Sequence, residues 1–440
     1  MEDLLQHSLE RISALYKFYN LEKEHIEAIA EEGMKHNILG FAMEKFFQML
    51  LFTPENRQSG EMFQKVKDIV AEFIEYNQND IKKSSNGNRY IISYRYRDQE
   101  VLEKNGIEVN IQKSASEYKQ YEEMPRIHSE NTFIMLITRF EEFLANFFCF
   151  LYTLYPRKYI DNQKIAFSEI CDSSVDEVRR KIVFREIDSL MRRSYIEWFK
   201  LFDSHEIHLK CDNELEVLKE LYARRNILVH NAGFVNQHYI SEVPHARVEI
   251  GDRLTVDKHY LDEAFLCVQK IIFSIHIASE KLVKERGKDY ISYIFTILFE
   301  RLQNEEYALC EFVYKALYES KYADASTRLM SKINYWIAKR ELHGIESIRD
   351  EAEKYDMCSN ERIYVLAKDL LLDNYEVAMP LLEKLYIRGD VTSFVIKHWP
   401  LFKNFRKTKW YAKFVREHIK DFEIPTLELD SDQSDLIENQ

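Results

Sequence analysis

Residues that end helices and form turns are scarce in this chain, which has only 10 glycines and 7 prolines among its 440 residues. Glycine and proline mark the frequent turns between short strands, so their scarcity favours long helices. The chain is long for one domain, and its 46% content of hydrophobic residues is enough to build more than one core. The sequence therefore predicts a mainly α-helical protein of several domains.

Several signatures of other protein classes are also absent. The six cysteines are scattered without a CxxC or metal-ligand spacing, which is typical of free thiols in a reducing compartment. The sequence contains no glycine-rich phosphate loop, no HExxH motif and no GxSxG motif. The most apolar run, 143–155, is too short to span a bilayer, and the N-terminus lacks the basic start of a signal peptide. We therefore expect a cytoplasmic protein with no metal ion, no cofactor and no membrane association.

Positive charge is in deficit as well, because 74 acidic residues outnumber 61 basic ones and give a net charge of −13. Such a chain is not a general nucleic-acid coat. Any contact with RNA must come from local basic patches that act against the overall field.

The most informative segment is 224–231, which reads Arg-Arg-Asn-Ile-Leu-Val-His-Asn. It ends a stretch with apolar residues at helical spacing, and Arg225 falls within the apolar stripe. Asn231, Ala232 and Gly233 follow as a helix-stop signal. Two interpretations are open here. The guanidinium and the imidazole serve phosphate chemistry, or a buried structural arginine precedes a histidine that interacts with the helix dipole.

The pattern Arg225-x4-His230, with Asn226 directly after the arginine, resembles the signature of the HEPN ribonucleases (higher eukaryotes and prokaryotes nucleotide-binding domains). The resemblance implies an all-α domain that dimerises and cuts RNA without a metal ion. It also implies a setting in a toxin system or in antiphage defence, which is common in that family.

The resemblance covers roughly residues 126 to 285. The helix predicted from Phe133 to Pro156 is similar to the long first helix of many family members. The segment 248–256, with Gly251 and Asp252 at its centre, is similar to the hairpin that often precedes the last helix.

The resemblance also implies roles for individual residues. The 2′-OH of RNA would attack the adjacent phosphorus and leave a 2′,3′-cyclic phosphate, with His230 as general base or general acid. Arg225 would hold the phosphate and offset the charge of the transition state. Asn226 and Asn231 would position the site, and Glu142 would orient Arg225.

A polar track formed by Arg139, Glu142 and Asn146 runs along the helix that begins at Phe133. It either faces the site of Arg225 or forms an ordinary ion pair on a solvated face.

A homodimer formed through residues 126–285 is the expected state. One histidine per chain leaves one proton-transfer role unfilled, and five residues of ideal helix separate Arg225 and His230 by about 140° around the axis. The first helix is also apolar over more than one face, since Phe148 and Phe150 add to its apolar stripe. Two copies of the motif facing one another would answer these points.

Further candidates for RNA contact are Arg224 and a basic, aromatic segment near the C-terminus that contains Lys407, Lys409 and Trp410. Aromatic rings stack on bases while basic side chains follow phosphates. The alternative is a terminal helix with buried aromatic residues and solvated lysines.

Four domains are predicted. They are a mostly helical N-terminal domain (1–125), the HEPN-like domain (126–285), a solenoid-like helical domain (286–420) and an acidic, disordered tail (421–440). In the first domain, alternating residues at 90–96 and 107–111 predict a small hairpin, and the polar segment 113–130 resembles a linker.

The sequence thus predicts a metal-independent endoribonuclease whose flanking helical domains bind a trigger or regulator. The alternative is a non-catalytic module that binds RNA, a nucleotide or a protein partner. A third interpretation is an unrelated helical regulator that carries the motif by chance.

Overall fold

The protein is described by a computed structural model over residues 1–52, 61–83, 90–96, 111–159, 174–283, 287–355 and 362–419. Within these residues the fold is mainly helical, which confirms the predicted class. No helix in the described ranges combines the length and the apolar character needed to cross a bilayer. The acidic tail predicted from residue 421 lies outside them.

The N-terminal and central elements follow one another in this order: α1 (Glu2–Phe52), α2 (Glu61–Phe73), β1 (Ile74–Lys83), β2 (Tyr90–Tyr96), α3 (Ile111–Leu154), α4 (Pro156–Tyr159), α5 (Val175–Met191), α6 (Tyr195–Ser204), α7 (Asp212–His230), α8 (Gln237–Glu242) and α9 (Lys258–Ala278). A short 3₁₀ turn (Glu280–Val283) follows α9.

The C-terminal elements are α10 (Gly287–Gln303), α11 (Tyr307–Glu319), α12 (Ala325–His343), α13 (Glu346–Lys354), α14 (Arg362–Leu371), α15 (Tyr375–Ile387), α16 (Ser393–His398), two 3₁₀ turns (Pro400–Phe402 and Phe405–Lys407) and α17 (Lys409–His418). Neighbouring helices pack in pairs, with α11 against α12 and α14 against α15. The helical character predicted for this region is confirmed in its described residues.

The described chain folds into two compact units that do not follow chain order. The first unit contains residues 1–7, 143–218 and the described residues from 266 onward, and the second contains 8–142 and 219–265. The predicted domain boundaries at 126 and 286 follow chain order instead, and they stay predictions.

The segment 113–130 is helical rather than a linker, because α3 runs without interruption from Ile111 to Leu154. Contacts in the second unit explain this: Tyr118 stacks on Phe41 of α1 at 4.2 Å between ring centroids, and His128 stacks on Tyr19 at 5.1 Å. Tertiary pairing with α1 thus orders a segment whose polar composition suggested otherwise.

In the N-terminal hairpin, the strand 90–96 pairs with a different segment from the one predicted. Strand β2 pairs antiparallel with β1, in a register that joins Ile74 to Tyr96 and Ile81 to Ile92. Residue 111 begins α3, and the rest of the expected second arm, 107–110, lies outside the described residues.

The apolar stripe of α3 is covered within one chain. Phe148 is buried, and Phe150 is half-buried. The other buried members of the stripe are Phe133, Leu136, Ile137, Phe140, Phe143, Leu144, Phe147 and Leu151. The apolar excess of this helix is therefore used in packing within the chain and is not an argument for a dimer.

Candidate functional site

The motif residues occupy the last turns of α7, and the helix ends at His230 as the stop signal predicted. On its inner face, Ala223 and Ile227 are buried. Arg225 and Asn226 are half-buried, and His230 is exposed. The helix thus keeps apolar side chains in the core and places the polar motif residues where solvent or a ligand can reach them.

The turn after α7 is built from two residues in the left-handed region. Ala232 has φ +51° and Gly233 has φ +84°. The amides of Asn231 and Gly233 both donate to the carbonyl of Ile227, at 2.9 and 3.1 Å. The side-chain amide of Asn231 donates to the carbonyl of Phe234. Asn231 therefore holds the turn, which supports the predicted positioning role through the backbone.

The segment 248–256 does not form the predicted hairpin. Its residues 251–254 pair with the chain that leaves the turn. Val235 donates to the carbonyl of Asp252 at 2.8 Å, and Leu254 donates to the carbonyl of Gly233 at 2.8 Å. A bridge joins Phe234 to Arg253. The cause is packing, since Leu254 is buried in the same apolar cluster as Val235.

A pocket of about 330 Å³ opens beside the end of α7, within the second unit. One wall is α8, where the side chain of Asn236 caps the helix by accepting from the amide of Tyr239 at 3.0 Å. Buried Tyr239 fixes α8 to the apolar cluster that contains Ile227. The polar residues that line the pocket are Asn226, His230, Asn231, Asn236, His238 and Glu242.

Arg225 does not line the pocket itself, but it contacts Asn226, which does. Its Nη1 donates to Oδ1 of Asn226 at 3.2 Å, and its Nη2 lies 3.8 Å from Oε2 of Glu141 on α3. Burial raises the pKa of Glu141 above its ordinary value, and the charge of Arg225 offsets part of that rise. The carboxylate that lies beside the guanidinium of Arg225 is thus that of Glu141.

Glu142, expected to orient Arg225, has other partners. It forms ion pairs with Arg139 at 3.0 Å and with Arg11 of α1. Burial alone would raise the pKa of Glu142, but the hydrogen bonds and charges of Arg139 and Arg11 lower it overall. The orienting role expected of Glu142 is therefore wrong in this structure. The polar track on α3 is an i, i+3 ion pair extended to α1.

Arg224 is engaged inside the fold. Its Nε lies 2.7 Å from Oε1 of Glu220, and its guanidinium stacks over the ring of Tyr260 at 4.0 Å. The same carboxylate accepts from the hydroxyl of Tyr239 at 2.8 Å and from that of Tyr260 at 2.6 Å. This Glu220 cluster (Glu220, Arg224, Tyr239 and Tyr260) joins α7, α8 and α9, which argues against the RNA contact expected of Arg224.

The basic C-terminal segment belongs to the first unit. Lys407 and Lys409 are exposed, Trp410 is half-buried, and the ammonium of Lys409 lies 5.8 Å from the Trp410 ring centroid. Lys403, in contrast, pairs with Glu305 at 2.8 Å and with Glu341 at 3.1 Å. Contact of Lys407, Lys409 and Trp410 with RNA stays a prediction.

Sequence reasoning missed His238, Glu242, Glu141 and the Glu220 cluster. A signal for the first two was present: Asn236 is a strong helix-capping residue, and His238 and Glu242 follow it at an i, i+4 spacing. The six residues of α8 are too few for hydrophobic periodicity to reveal a helix.

The two histidines and the carboxylate of the pocket do not form a ready metal cluster. Among the described residues, one group of three His, Cys, Asp or Glu side chains has all its ligand atoms within 4.8 Å of one another, namely Glu383, Glu417 and His418 of the first unit. His230, His238 and Glu242 do not form such a group, although His238 and Glu242 lie close to one another.

No protein-family model matches the chain, and neither a curated protein nor a solved structure does so.

Proposed function

We propose that the second unit carries the active site of a metal-independent endoribonuclease, centred on Arg225 and His230. One observation carries the proposal. Asn226 accepts a hydrogen bond from Arg225 and lines the same pocket as exposed His230. His230 thus lines a polar pocket of about 330 Å³, a volume in the range of small-ligand sites, and the guanidinium of Arg225 contacts a residue of the pocket wall.

In the proposed reaction, the 2′-OH of RNA attacks the adjacent phosphorus. The O2′–P bond forms, the P–O5′ bond breaks, and a 2′,3′-cyclic phosphate and a 5′-OH result. His230 accepts the proton of the 2′-OH, the general-base role that histidine fills most often in enzymes. Arg225 binds the non-bridging phosphate oxygens as negative charge builds up on them.

The environment of Arg225 suits this role. Its contact with Glu141 at 3.8 Å is longer than a hydrogen bond, so the carboxylate orients the guanidinium without saturating its N–H groups. A phosphate can then form the short, charge-assisted bonds that Glu141 does not.

We further propose a homodimer, in keeping with the resemblance to HEPN ribonucleases. Apolar side chains that stay exposed at the end of α7 and in the segment after it support this dimer. Val229, Phe234 and Ile250 are 47%, 43% and 62% exposed. Mass measurement at working concentration tests this state, and a strictly monomeric, fully active protein would contradict it. A toxin or antiphage setting, and a trigger bound by the flanking helices, belong to the same proposal.

The test of the function is direct. Purified protein is incubated with total RNA in EDTA, and the new ends are mapped. We expect cuts with 2′,3′-cyclic phosphate ends, loss of cutting in His230→Ala and Arg225→Ala, and full cutting in the exposed control His259→Ala. Well-folded His230→Ala protein with unchanged cutting would refute the assignment.

A non-catalytic binding module is the second candidate. The observation that favours it is the engagement of Arg225 by Glu141 and Asn226 within the chain, in a protein of net charge −13. Under this alternative, the wild-type protein retains RNA on a filter but yields no new ends, and Arg225→Ala weakens retention.

A further inference from the structure

A second histidine lies in the pocket of His230. His238 is on the second residue of α8, and its side chain is 70% exposed. Its Nε2 lies 3.5 Å from Oε1 of Glu242, one helical turn later. The Glu242 side chain is only 26% exposed, so this carboxylate lies in the pocket wall, next to an imidazole that solvent can reach.

Three contacts hold α8, the helix that carries His238. Asn236 caps α8, and the neighbouring Tyr239 is buried in the apolar cluster. The hydroxyl of Tyr239 donates to Glu220 at 2.8 Å. A six-residue helix would not be stable alone, so these contacts fix its position against α7. His238 is therefore placed in the pocket by packing and by hydrogen bonds.

We propose that His238 is the second catalytic residue of the site, acting as the general acid that protonates the leaving 5′-oxygen. The inference rests on the proposed ribonuclease function. The O2′–P bond forms as His230 takes the 2′-OH proton, and the P–O5′ bond breaks as the imidazolium of His238 gives its proton to O5′. Both histidines return to their starting states by exchange with water after product release.

The division of roles follows from the neighbours of each ring. A general acid must hold its ring N–H towards the leaving oxygen, and a carboxylate beside the ring orients the imidazole. His238 has such a neighbour in Glu242, which makes Glu242 a positioning residue. His230 ends α7 and lines the same pocket as Asn226, which accepts a hydrogen bond from Arg225, the residue proposed to bind phosphate.

A second histidine in the pocket changes the part that a dimer would play. One histidine per chain had left the second proton transfer to a partner copy. With His230 and His238 lining one pocket, a single chain holds both groups. Dimerisation then serves RNA binding or regulation, and the chemistry does not require a histidine from the second copy.

The experiment compares five forms of the full chain: wild type, His230→Ala, His238→Ala, Glu242→Gln and His259→Ala. The last is a matched control. His259 is also an exposed histidine with a glutamate one turn later, Glu263 at 3.7 Å, but neither residue lines the pocket. Because His238 and His259 are 70% and 82% exposed, neither substitution opens a cavity, and circular dichroism checks that each form is folded.

Two oligoribonucleotide substrates separate the acid from the base. Both carry the sequence around the most frequent cut found in total RNA. One is unmodified, and the other has sulfur in place of the bridging 5′-oxygen at that cut. A thiolate leaves without protonation, so this substrate does not need the general acid. Single-turnover cleavage rates are measured in EDTA.

We expect His238→Ala to lose about 10²- to 10⁴-fold in rate on the unmodified RNA and to cut the sulfur substrate within about tenfold of wild type. His230→Ala should stay slow on both substrates, and His259→Ala should match wild type on both. Glu242→Gln should show a smaller loss that the sulfur substrate also restores.

Three outcomes would overturn the inference. If His238→Ala cuts unmodified RNA at the wild-type rate, the proposed function stands and His238 has no role in it. If His238→Ala is equally slow on both substrates, His238 does not act as the acid. If wild-type protein produces no new ends in total RNA, the ribonuclease function itself fails, and this inference fails with it.

Discussion

Replacing Glu220 tests whether the pocket is positioned by the cluster around this carboxylate. Its two oxygens accept from Arg224 at 2.7 Å, Tyr239 at 2.8 Å and Tyr260 at 2.6 Å. The side chains of Arg224 and Glu220 are 16% and 20% exposed, so Glu220→Ala takes the carboxylate away from a poorly hydrated guanidinium and from two hydroxyls, and leaves the guanidinium its bond to the carbonyl of Thr255. We expect this to disturb α8 and, with it, His238.

The expected loss of unfolding free energy follows from the burial of the Glu220–Arg224 ion pair. Removing one member of a fully buried ion pair costs about 3–5 kcal/mol, and partial exposure of this pair places Glu220→Ala at about 3 kcal/mol. Glu220→Gln should cost about 1–2 kcal/mol, because the amide oxygen can still accept from a tyrosine hydroxyl. Arg224→Ala breaks the same ion pair as Glu220→Ala. The double variant should therefore lose clearly less unfolding free energy than the two single variants lose when their losses are added.

Hydrogen–deuterium exchange measures the effect where it arises. A loss of about 3 kcal/mol corresponds to an increase of about 100-fold in the exchange of amides that open with α8, Asn231 to Glu242. The control is Glu263→Gln, whose side chain is 66% exposed and which should leave exchange unchanged. Unaltered protection of these amides in Glu220→Ala, with wild-type cleavage, would refute the positioning role.

Three further predictions use other parts of the chain. Cleavage of total RNA should persist in EDTA, and activity that returns only with Mg²⁺ or Mn²⁺ would exclude the proposed mechanism. Gly233→Ala should cost about 1 kcal/mol in unfolding experiments because φ is +84°, whereas a neutral effect would show that the turn can relax. Burial raises the pKa of Glu280 in the first unit to about 7, so the folded state binds its proton more tightly than the unfolded state. The free energy of unfolding should therefore fall by about 3 kcal/mol as pH rises from 4.5 through 7, and Glu280→Gln should remove this dependence in denaturation midpoints.

The sequence predicted the helices of this fold well where each carries its own signal. The C-terminal helices have apolar residues at regular spacing, and α7 ends at Asn231 to Gly233 because that segment suits a left-handed turn. The same reasoning failed for 113–130, whose composition is polar. What makes it helical is contact with α1 through Phe41 and Tyr19, and such a partner is not visible in a local window.

The catalytic roles of Arg225 and His230 stay predictions, and the sequence did not indicate all of their neighbours. Arg225 and His230 are recognisable because they stand in one motif. The choice between Glu141 and Glu142 could not be made from α3 alone, because adjacent residues point about 100° apart and both are glutamates. Arg11, 131 positions earlier in the chain, pairs with Glu142, and Glu141 is the carboxylate that lies near Arg225.

The pocket lies where turn-forming residues gather. A helix presents a convex surface, so a mainly helical chain forms concave sites between packed helices or where helices stop and the backbone folds back. That happens between His230 and Lys258, where Asn231, Gly233, Asn236 and Gly251 interrupt the helical pattern. Two of the ten glycines fall in this short stretch, both with positive φ. Substitutions in these turns should therefore change the spacing of His230 and His238 without removing either imidazole.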